Sequence, residues 1–578
     1  MKYKLKNQLP HDENSCLSDL LKARGIIDVN QYLNPTIKSE LDAALLDNIQ
    51  QGAELYLKHL NNNSKILILV DADMDGFSSA AIMWLYTKKL FPNADLSYIC
   101  HEHKGHGVDD VINEILGTDY DFIIIPDAGS SSKELHQKIR EDGKDILVID
   151  HHEYDNSDEW AVIINNQSST SYSNKGLCGA GVVYKFCQYM DKIMNVSFSS
   201  EFIDLCAVGL IGDMMSFKHP ETRYYVNEGL KRIYNKGLQS LINQQAFSLF
   251  KNGPELTSIG VAFYIVPLVN AVVRAGSMEE KRKLFEMFIE PNKMVQSTKR
   301  GAKTGELVTL GEEMSRVASN VRARQNRVKD KAMALLDSRI GKQGLLDNKI
   351  IILEVEPIDG IPQELTGLIA QQFVSKYGRP TILVRRTSDG YLKGSIRGRD
   401  TFEEVPDFRQ FLLDSNLVEE SAGHANAAGI SILISKKEEL VQYANEHISD
   451  KGLDSSYLVD YIFTASEDYS KLATKLAENE NIFGNDIETP VVVAEKLPVK
   501  NYMIMGENKD SFKFTHNGVE YVKFKDGNFV DEIMTLEEDS TITVYGRLGL
   551  NKWNGRVTPQ LIIDDYELSS SNDIDYSF

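Results

Sequence analysis

The chain has 578 residues, 42% hydrophobic and 25% charged, with a formal charge of −21 from 63 basic and 84 acidic side chains. That is too long for one hydrophobic core, so three or four domains of ordinary globular composition are expected. The acidity argues against a surface that is basic throughout and leaves nucleic-acid binding only to a local groove on an acidic body.

Residues 1–60 read as short helices, a cap packed on the domain that follows. Residues 61–276 alternate strand and helix patterns, which predicts βαβ units and a parallel sheet. Three short apolar runs there each end in an acid. Lys65–Val70 meets Asp71-Ala-Asp73-Met-Asp75-Gly76, Phe122–Pro126 meets Asp127-Ala-Gly129, and residues 145–149 meet Asp150-His151-His152. A helix is predicted from Ser78 onward. The strand over Asp95–Cys100 leads into residues 101–107, with three histidines and two glycines, read as too polar and flexible for core. Residues 201–215 form a buried helix that ends in Asp213.

Residues 277–345 are charged and helical in period, broken at Pro291, and carry Arg322, Arg324, Arg327, Lys329 and Lys331, a cluster either simply solvated or lining a channel. Residues 346–450 return to strand and helix patterns, a smaller α/β domain. Residues 451–566 break into short strands that suit a β-barrel, and 567–578 form a polar tail. The five cysteines lack a C-x-x-C pair and read as reduced thiols of a cytoplasmic protein. No signal core is evident and no apolar run is expected to reach the roughly 18 residues of a membrane span, so no membrane partner is expected.

Asp71, Asp73 and Asp75 would repel one another strongly without a cation among them. In open α/β sheets the C-terminal strand ends are where ligands bind. The candidate ligands are Asp71, Asp73, Asp75, Asp127, His151 and Asp213, with Asp150 and His152 as orienting or substrate-contacting neighbours. Two metals about 3.5–4 Å apart can polarise a phosphoryl centre and stabilise its leaving oxygen, and histidine among the ligands shifts preference from Mg2+ towards Mn2+. Singly, each residue also reads as a turn, a cap or a surface side chain. Three strands ending alike favour the joint reading.

These motifs together resemble the DHH phosphoesterase superfamily, named for its Asp-His-His, and within it the RecJ single-strand-specific exonucleases. Gly179-Ala-Gly-Val182, Asn270-Ala-x-x-Arg274, Tyr377-Gly-Arg-Pro380, Gly394-Ser-Ile-Arg397 and Gly423-His-x-x-Ala-Ala-Gly429 extend the resemblance, as do Leu550-Asn-Lys-Trp-Asn-Gly555 and residues 559–564. It implies a parallel-sheet DHH domain, a helical connector, a smaller α/β DHHA1 domain and a C-terminal OB-like barrel. It also implies that Asp73, Asp75, Asp127, His151 and Asp213 hold two Mn2+ (or Mg2+), with Asp127 bridging and Asp71 assisting. His152 would face the scissile phosphate beside Asp150, and Ser395, Arg397 and His424, with Arg274 and Asn270, would contact the DNA end.

The implied activity is a metal-dependent exonuclease that degrades single-stranded DNA from the 5′ end to mononucleotides in repair, recombination or replication, by in-line displacement without a covalent enzyme intermediate. The resemblance further implies a monomer, and an acidic surface away from the groove could serve a single-strand-binding protein or a helicase as partner. Three places depart from the family pattern: Ala422 precedes Gly423-His424, Lys104-Gly-His-Gly107 follows only His101 or His103 where an arginine is usual, and Asp359-Gly-Ile-Pro-Gln-Glu364 replaces a His-x-Gly stretch. In the barrel, Tyr545, Arg547 and Trp553 are candidates for holding a strand. The rival readings are a DHH phosphodiesterase acting on short oligonucleotides or cyclic dinucleotides, and a catalytically inactive RecJ-like scaffold.

Overall fold

The computed structural model describes residues 1–102, 107–154, 158–251, 253–399, 404–449, 456–500, 502–536, 540–553 and 556–569. His103, Lys104 and His106, the side chain of Trp553 and residues 570–578 of the expected tail lie outside the described residues. The chain divides into two compact units, one of residues 1–273, 278–316 and 457–578, the other of residues 274–277 and 317–456.

In the first unit five strands form an all-parallel sheet: β1 (Lys65–Val70), β2 (Asp95–Cys100), β3 (Phe122–Pro126), β4 (Asp145–Asp150) and β5 (Val162–Asn165), in the order β2-β1-β3-β4-β5. Ile66 to Val70 and all of β3 are buried, as in sheets covered on both faces, and for that reason these runs are continuously apolar rather than alternating. Leu67, Leu69, Ile123, Ile125 and Val148 share one apolar cluster with Ile139. From β1 the chain crosses to β2 on one side, while β3 lies on the other. The connections thus diverge between β1 and β3, and a crevice opens beyond their C-terminal ends. Asp71 and Asp127 are the first residues past those ends.

Helix α1 (Met74–Leu90) starts at Met74 rather than at Ser78 as the sequence suggested. The reason is local: Asp73 is its N-cap, and its Oδ1 accepts from Asp75 N at 2.9 Å and Gly76 N at 3.1 Å. Asp75 therefore sits in the first helical turn. Residues 74–83 are buried throughout, and α1 packs against β1 and two further helices, α2 (Gly179–Met194) and α3 (Ile203–Gly212). One helical run, Ser258–Ala275, is after all long and apolar enough to cross a membrane by length and composition, and 50% of it is buried within the structure.

Between the sheet region and the second unit, the expected helical stretch contains a two-stranded hairpin (Met294–Gln296 with Leu307–Thr309) before the 33-residue helix α4 (Leu310–Lys342), which carries the basic cluster. The second unit has a mixed sheet of β6 (Ile351–Glu354), β7 (Thr381–Arg386), β8 (Tyr391–Arg397), β9 (Glu420–His424) and β10 (Ala427–Leu433), in the order β9-β10-β8-β7-β6 and parallel only between β6 and β7. It too is apolar on both faces: Ile382, Val384 and Ile396 belong to one cluster, Leu353, Leu383 and Phe373 to another. Asp359, in one of the departing stretches, is bound to Arg339 through both carboxylate oxygens at 2.9 and 2.8 Å.

The C-terminal part of the first unit is a seven-stranded sheet of β11 (Tyr461–Thr464), β12 (Val491–Pro498), β13 (Met503–Met505), β14 (Ser511–His516), β15 (Val519–Lys523), β16 (Thr541–Trp553) and β17 (Arg556–Ser569), in the order β11-β12-β16-β17-β15-β14-β13. Of the strand-binding candidates there, Arg547 is paired with Asp564 at 2.9 Å, and the Tyr545 ring stacks on Tyr457 at 4.0 Å.

The N-terminal helix Cys16–Ala23 corrects an expectation. It joins this C-terminal sheet, not the domain next in sequence. Its buried face, Cys16, Leu17, Leu20 and Leu21, shares a core with Phe463, Leu472, Val492 and Val544, and Tyr3–Leu5 pairs in parallel with Tyr457–Val459. An apolar stripe on a short helix must find a partner but does not say which one. Leu20→Ala is accordingly expected to cost about 2–5 kcal/mol, seen as faster hydrogen exchange in β12 with protection retained in β1 and β3. Loss of protection in β1 instead would place the helix on the parallel sheet.

Candidate functional site

Six carboxylates and a histidine pair converge at the C-terminal ends of β1, β3 and β4. Asp71 follows β1, and its Oδ1 accepts from Gly107 N at 3.2 Å. The Asp75 carboxylate lies across the N-terminus of α2, with Oδ2 accepting from Gly179 N at 2.7 Å and Oδ1 from Ala180 N at 3.0 Å. Those amides have no partner inside their own helix and carry the positive end of its dipole. Asp127 follows β3 with φ of 67°, a left-handed conformation that costs a residue with a side chain of this kind roughly 1–3 kcal/mol.

Asp127 is 3% exposed, and its Oδ1 has no hydrogen-bond partner among the described residues. The nearest basic atom, His151 Nε2, lies 3.3 Å away and is also 3.5 Å from Asp213 Oδ2. Donor atoms of Asp71, Asp73 and Asp127 lie within 4.8 Å of one another, as do those of Asp75, His151 and Asp213, and Asp127 and His151 meet again in a third group with Asp150 and His152. Two neighbouring cradles therefore touch through Asp127 and His151. No side chain fits at position 179, because a Cβ there would come within 2.6 Å of Asp127 Cα.

Asp150 plays a different part. It is fully buried, and Oδ1 accepts from His151 N at 2.7 Å, His152 N at 3.3 Å and His152 Nδ1 at 2.8 Å, while Oδ2 accepts from Ser130 N at 3.1 Å. Asn165, at the end of β5, donates to His152 O at 2.9 Å and to Ser130 Oγ at 3.0 Å. Asp150 thus holds the loop that carries both histidines, and the His152 side chain is left 48% exposed.

The charges do not balance within the site. Burial, then the Asp75 and Asp73 carboxylates, push Asp127 well above the usual carboxylate range. The same causes in the same order raise Asp213 to about 8. Burial would raise Asp150 as well, but its hydrogen bond to His152 and the charges of His152 and His151 hold it well below its ordinary value. Burial would lower His152, but the hydrogen bond and charge of Asp150 raise it to about 9. Carboxylates that cannot all ionise together, a buried oxygen without a donor and one imidazole make a set of hard ligands suited to Mg2+ or Mn2+.

His101 also corrects the sequence reading, which put residues 101–107 outside the core. It is 3% exposed, with Nδ1 at 2.6 Å from Asp110 Oδ1 and Nε2 at 3.8 Å from Asp71 Oδ1. The usable signal was register: Val70 pairs with Cys100, which puts positions 71 and 101 side by side. Asn270, expected at the substrate, has its Oδ1 on Met74 N at 3.1 Å and so braces the first turn of α1.

The remaining expected substrate contacts, Arg274, Ser395, Arg397 and His424, all belong to the second unit. Ser395 Oγ lies 2.9 Å from Thr366 Oγ1, Arg397 Nη1 donates to Ile396 O at 2.7 Å, and His424 is exposed. Burial, then the charge of Arg274, lower the Arg397 pKa, so an anion beside these two guanidiniums would be welcome to both.

Comparison with known proteins bears on the same elements. The chain matches the DHH family, N-terminal domain, over residues 65–210 and the RecJ OB domain over residues 459–565. A relative from Bacillus subtilis strain 168, provisionally named an SPbeta prophage-derived single-strand DNA-specific exonuclease, is 35% identical over 563 residues, 96% of each chain. The single-stranded-DNA-specific exonuclease RecJ of the same organism is 24% identical over 539 residues, 90% of this chain and 63% of that one. The crystal structure of Thermus thermophilus RecJ in complex with Mn2+ has a TM-score of 0.70 over 98% of this chain and 78% of that one, at 19% identity, a likeness of fold.

Two expectations follow from the site itself. Gly179→Ala should displace Asp127 and weaken Mn2+ binding by about tenfold or more, measured by titration calorimetry on protein with a native circular dichroism spectrum. Free Mn2+ at about a hundred times its Kd should stabilise the chain by about 2.7 kcal/mol per site relative to EDTA, read as a rise in Tm. An unchanged Tm would count against a cation in the acid cluster.

Proposed function

The chain belongs to the DHH family, in its RecJ-like branch of single-strand DNA-specific exonucleases, and from this we propose that it hydrolyses single-stranded DNA from the 5′ end to mononucleotides with two divalent cations, Mn2+ preferred. The observation that carries the reading is Asp127. Its buried Oδ1, without a hydrogen-bond partner among the described residues, stands between two groups of donors, where a shared ligand is needed.

Divalent cations bound there would polarise the phosphoryl group, activate water and offset charge on the leaving oxygen. The protein does the rest. Backbone amides of Gly179 and Ala180 fix Asp75, Gly107 fixes Asp71, and Asp73 is held by the first turn of α1. Asp150 takes the Nδ1 side of His152 and leaves its Nε2 to face the scissile phosphate. Arg274, Ser395, Arg397 and His424 would take phosphate of the strand through arginine forks and hydroxyl donors. In this reading a monomer acts in the cytoplasm, in repair, recombination or replication, on strands delivered by a single-strand-binding protein or a helicase. The complete donor set speaks against an inactive scaffold, and the match to the RecJ OB domain speaks against a minimal dinucleotide phosphodiesterase.

The test is one oligonucleotide labelled at either end, digested with Mn2+ or in EDTA. Labelled mononucleotide should appear at once from the 5′ label, only with metal, and little from duplex. Immediate release from the 3′ label would reverse the polarity. Asp127→Ala should lose about 4 kcal/mol of transition-state stabilisation, roughly a thousandfold in rate, while keeping its fold. An active Asp127→Ala protein would overturn the shared-ligand arrangement.

A further inference from the structure

Within the first unit, helices Pro220–Lys231 and Lys236–Gln244, Phe250, residues 254–258 and Asn481 line a cavity of about 480 Å³. None of the metal-site residues lines it. Its wall includes Arg223, which is 3% exposed. Arg223 Cζ lies 5.3 Å over the Tyr32 ring, and Nη1 donates to Asn481 O at 3.2 Å. Its Nε is buried without an acceptor, and among the described residues no carboxylate comes within the 4.0 Å of an ion pair. Lys231, paired with Glu228 at 2.6 Å, adds a second positive charge to the wall, and the exposed Glu255 is the acid that lines it. Leu230, Ile242 and Phe250 give the wall an apolar side, and Asn227, Gln239 and Thr257 a polar one.

A guanidinium on a cavity wall, with no carboxylate paired to it among the described residues and with apolar side chains beside it, suits a phosphate carried on a body with apolar faces. The volume falls in the range of small-molecule and cofactor sites, roughly 300–1,000 Å³. We infer that this cavity is a second nucleotide site, with Arg223 on the phosphate and Leu230, Ile242 and Phe250 against sugar and base. The choice of nucleotide over other phosphate esters rests on the exonuclease reading, whose products are mononucleotides. The same phosphate arrives either on a free mononucleotide or on a nucleotide of a bound strand.

Thymidine 5′-monophosphate, titrated calorimetrically into the full chain in EDTA, distinguishes these. Leu230→Trp fills the cavity without touching a residue placed at the reaction, and Arg223→Gln removes the charge. Both are expected to weaken binding at least tenfold, with native circular dichroism checked for each, while Arg397→Ala leaves this class of binding in place. If Leu230→Trp also raises KM for an oligothymidylate with kcat unchanged, the phosphate belongs to the strand. If KM stays put, it belongs to the free nucleotide. Unchanged binding of the monophosphate in folded Leu230→Trp overturns the site. An inactive wild-type chain with Leu230-sensitive binding would keep the site and remove the exonuclease reading.

Discussion

Carboxylates crowded at one sheet edge repel one another, and much of the first unit is arranged to hold them there. Backbone groups position three of them: Asp75 by two amides of α2, Asp73 by the first turn of α1, Asp71 by Gly107. Amides carry no net charge, so a carboxylate held by amides is positioned without having its charge cancelled by them.

That restraint demands close approach, and close approach demands glycine. A Cβ at Gly76 would sit 2.5 Å from Asp71 Cβ, and one at Gly209 would sit 2.5 Å from Asp75 Oδ1. Together with Gly179 these positions let α1, α2 and α3 pack tightly enough to seal the floor of the site. Asp127 adds backbone strain in its left-handed conformation. The divergence of connections between β1 and β3 supplies the crevice, a property of many parallel sheets, while the glycines and acids make this crevice specific.

Much of this is legible in the sequence because it is local. An apolar run that stops dead in acids announces both a buried strand and its functional end, and three such runs, at Asp71, Asp127 and Asp150, mark one edge before any strand order is known. Chemistry that depends on pairing is less legible. His101 looked like solvent-facing loop because its neighbours are polar, and only the register of β1 with β2 brings it beside Asp71. Asp150 was readable as an orienting neighbour of the histidines, and its carboxylate does hold their loop. The N-terminal helix shows an apolar face without naming its partner, which lies more than 400 residues away in the sequence. The brace that Asn270 Oδ1 gives Met74 N in the first turn of α1 is likewise invisible in the motif that carries the residue.

Crystals grown with Mn2+ and measured above and below the manganese absorption edge bear on the acid cluster most directly. Two anomalous peaks are expected about 3.5–4 Å apart, one against Asp71, Asp73 and Asp127 and the other against Asp75, His151 and Asp213, with an Asp127 oxygen reaching both. A single peak, or two peaks of which neither touches Asp127, would contradict it.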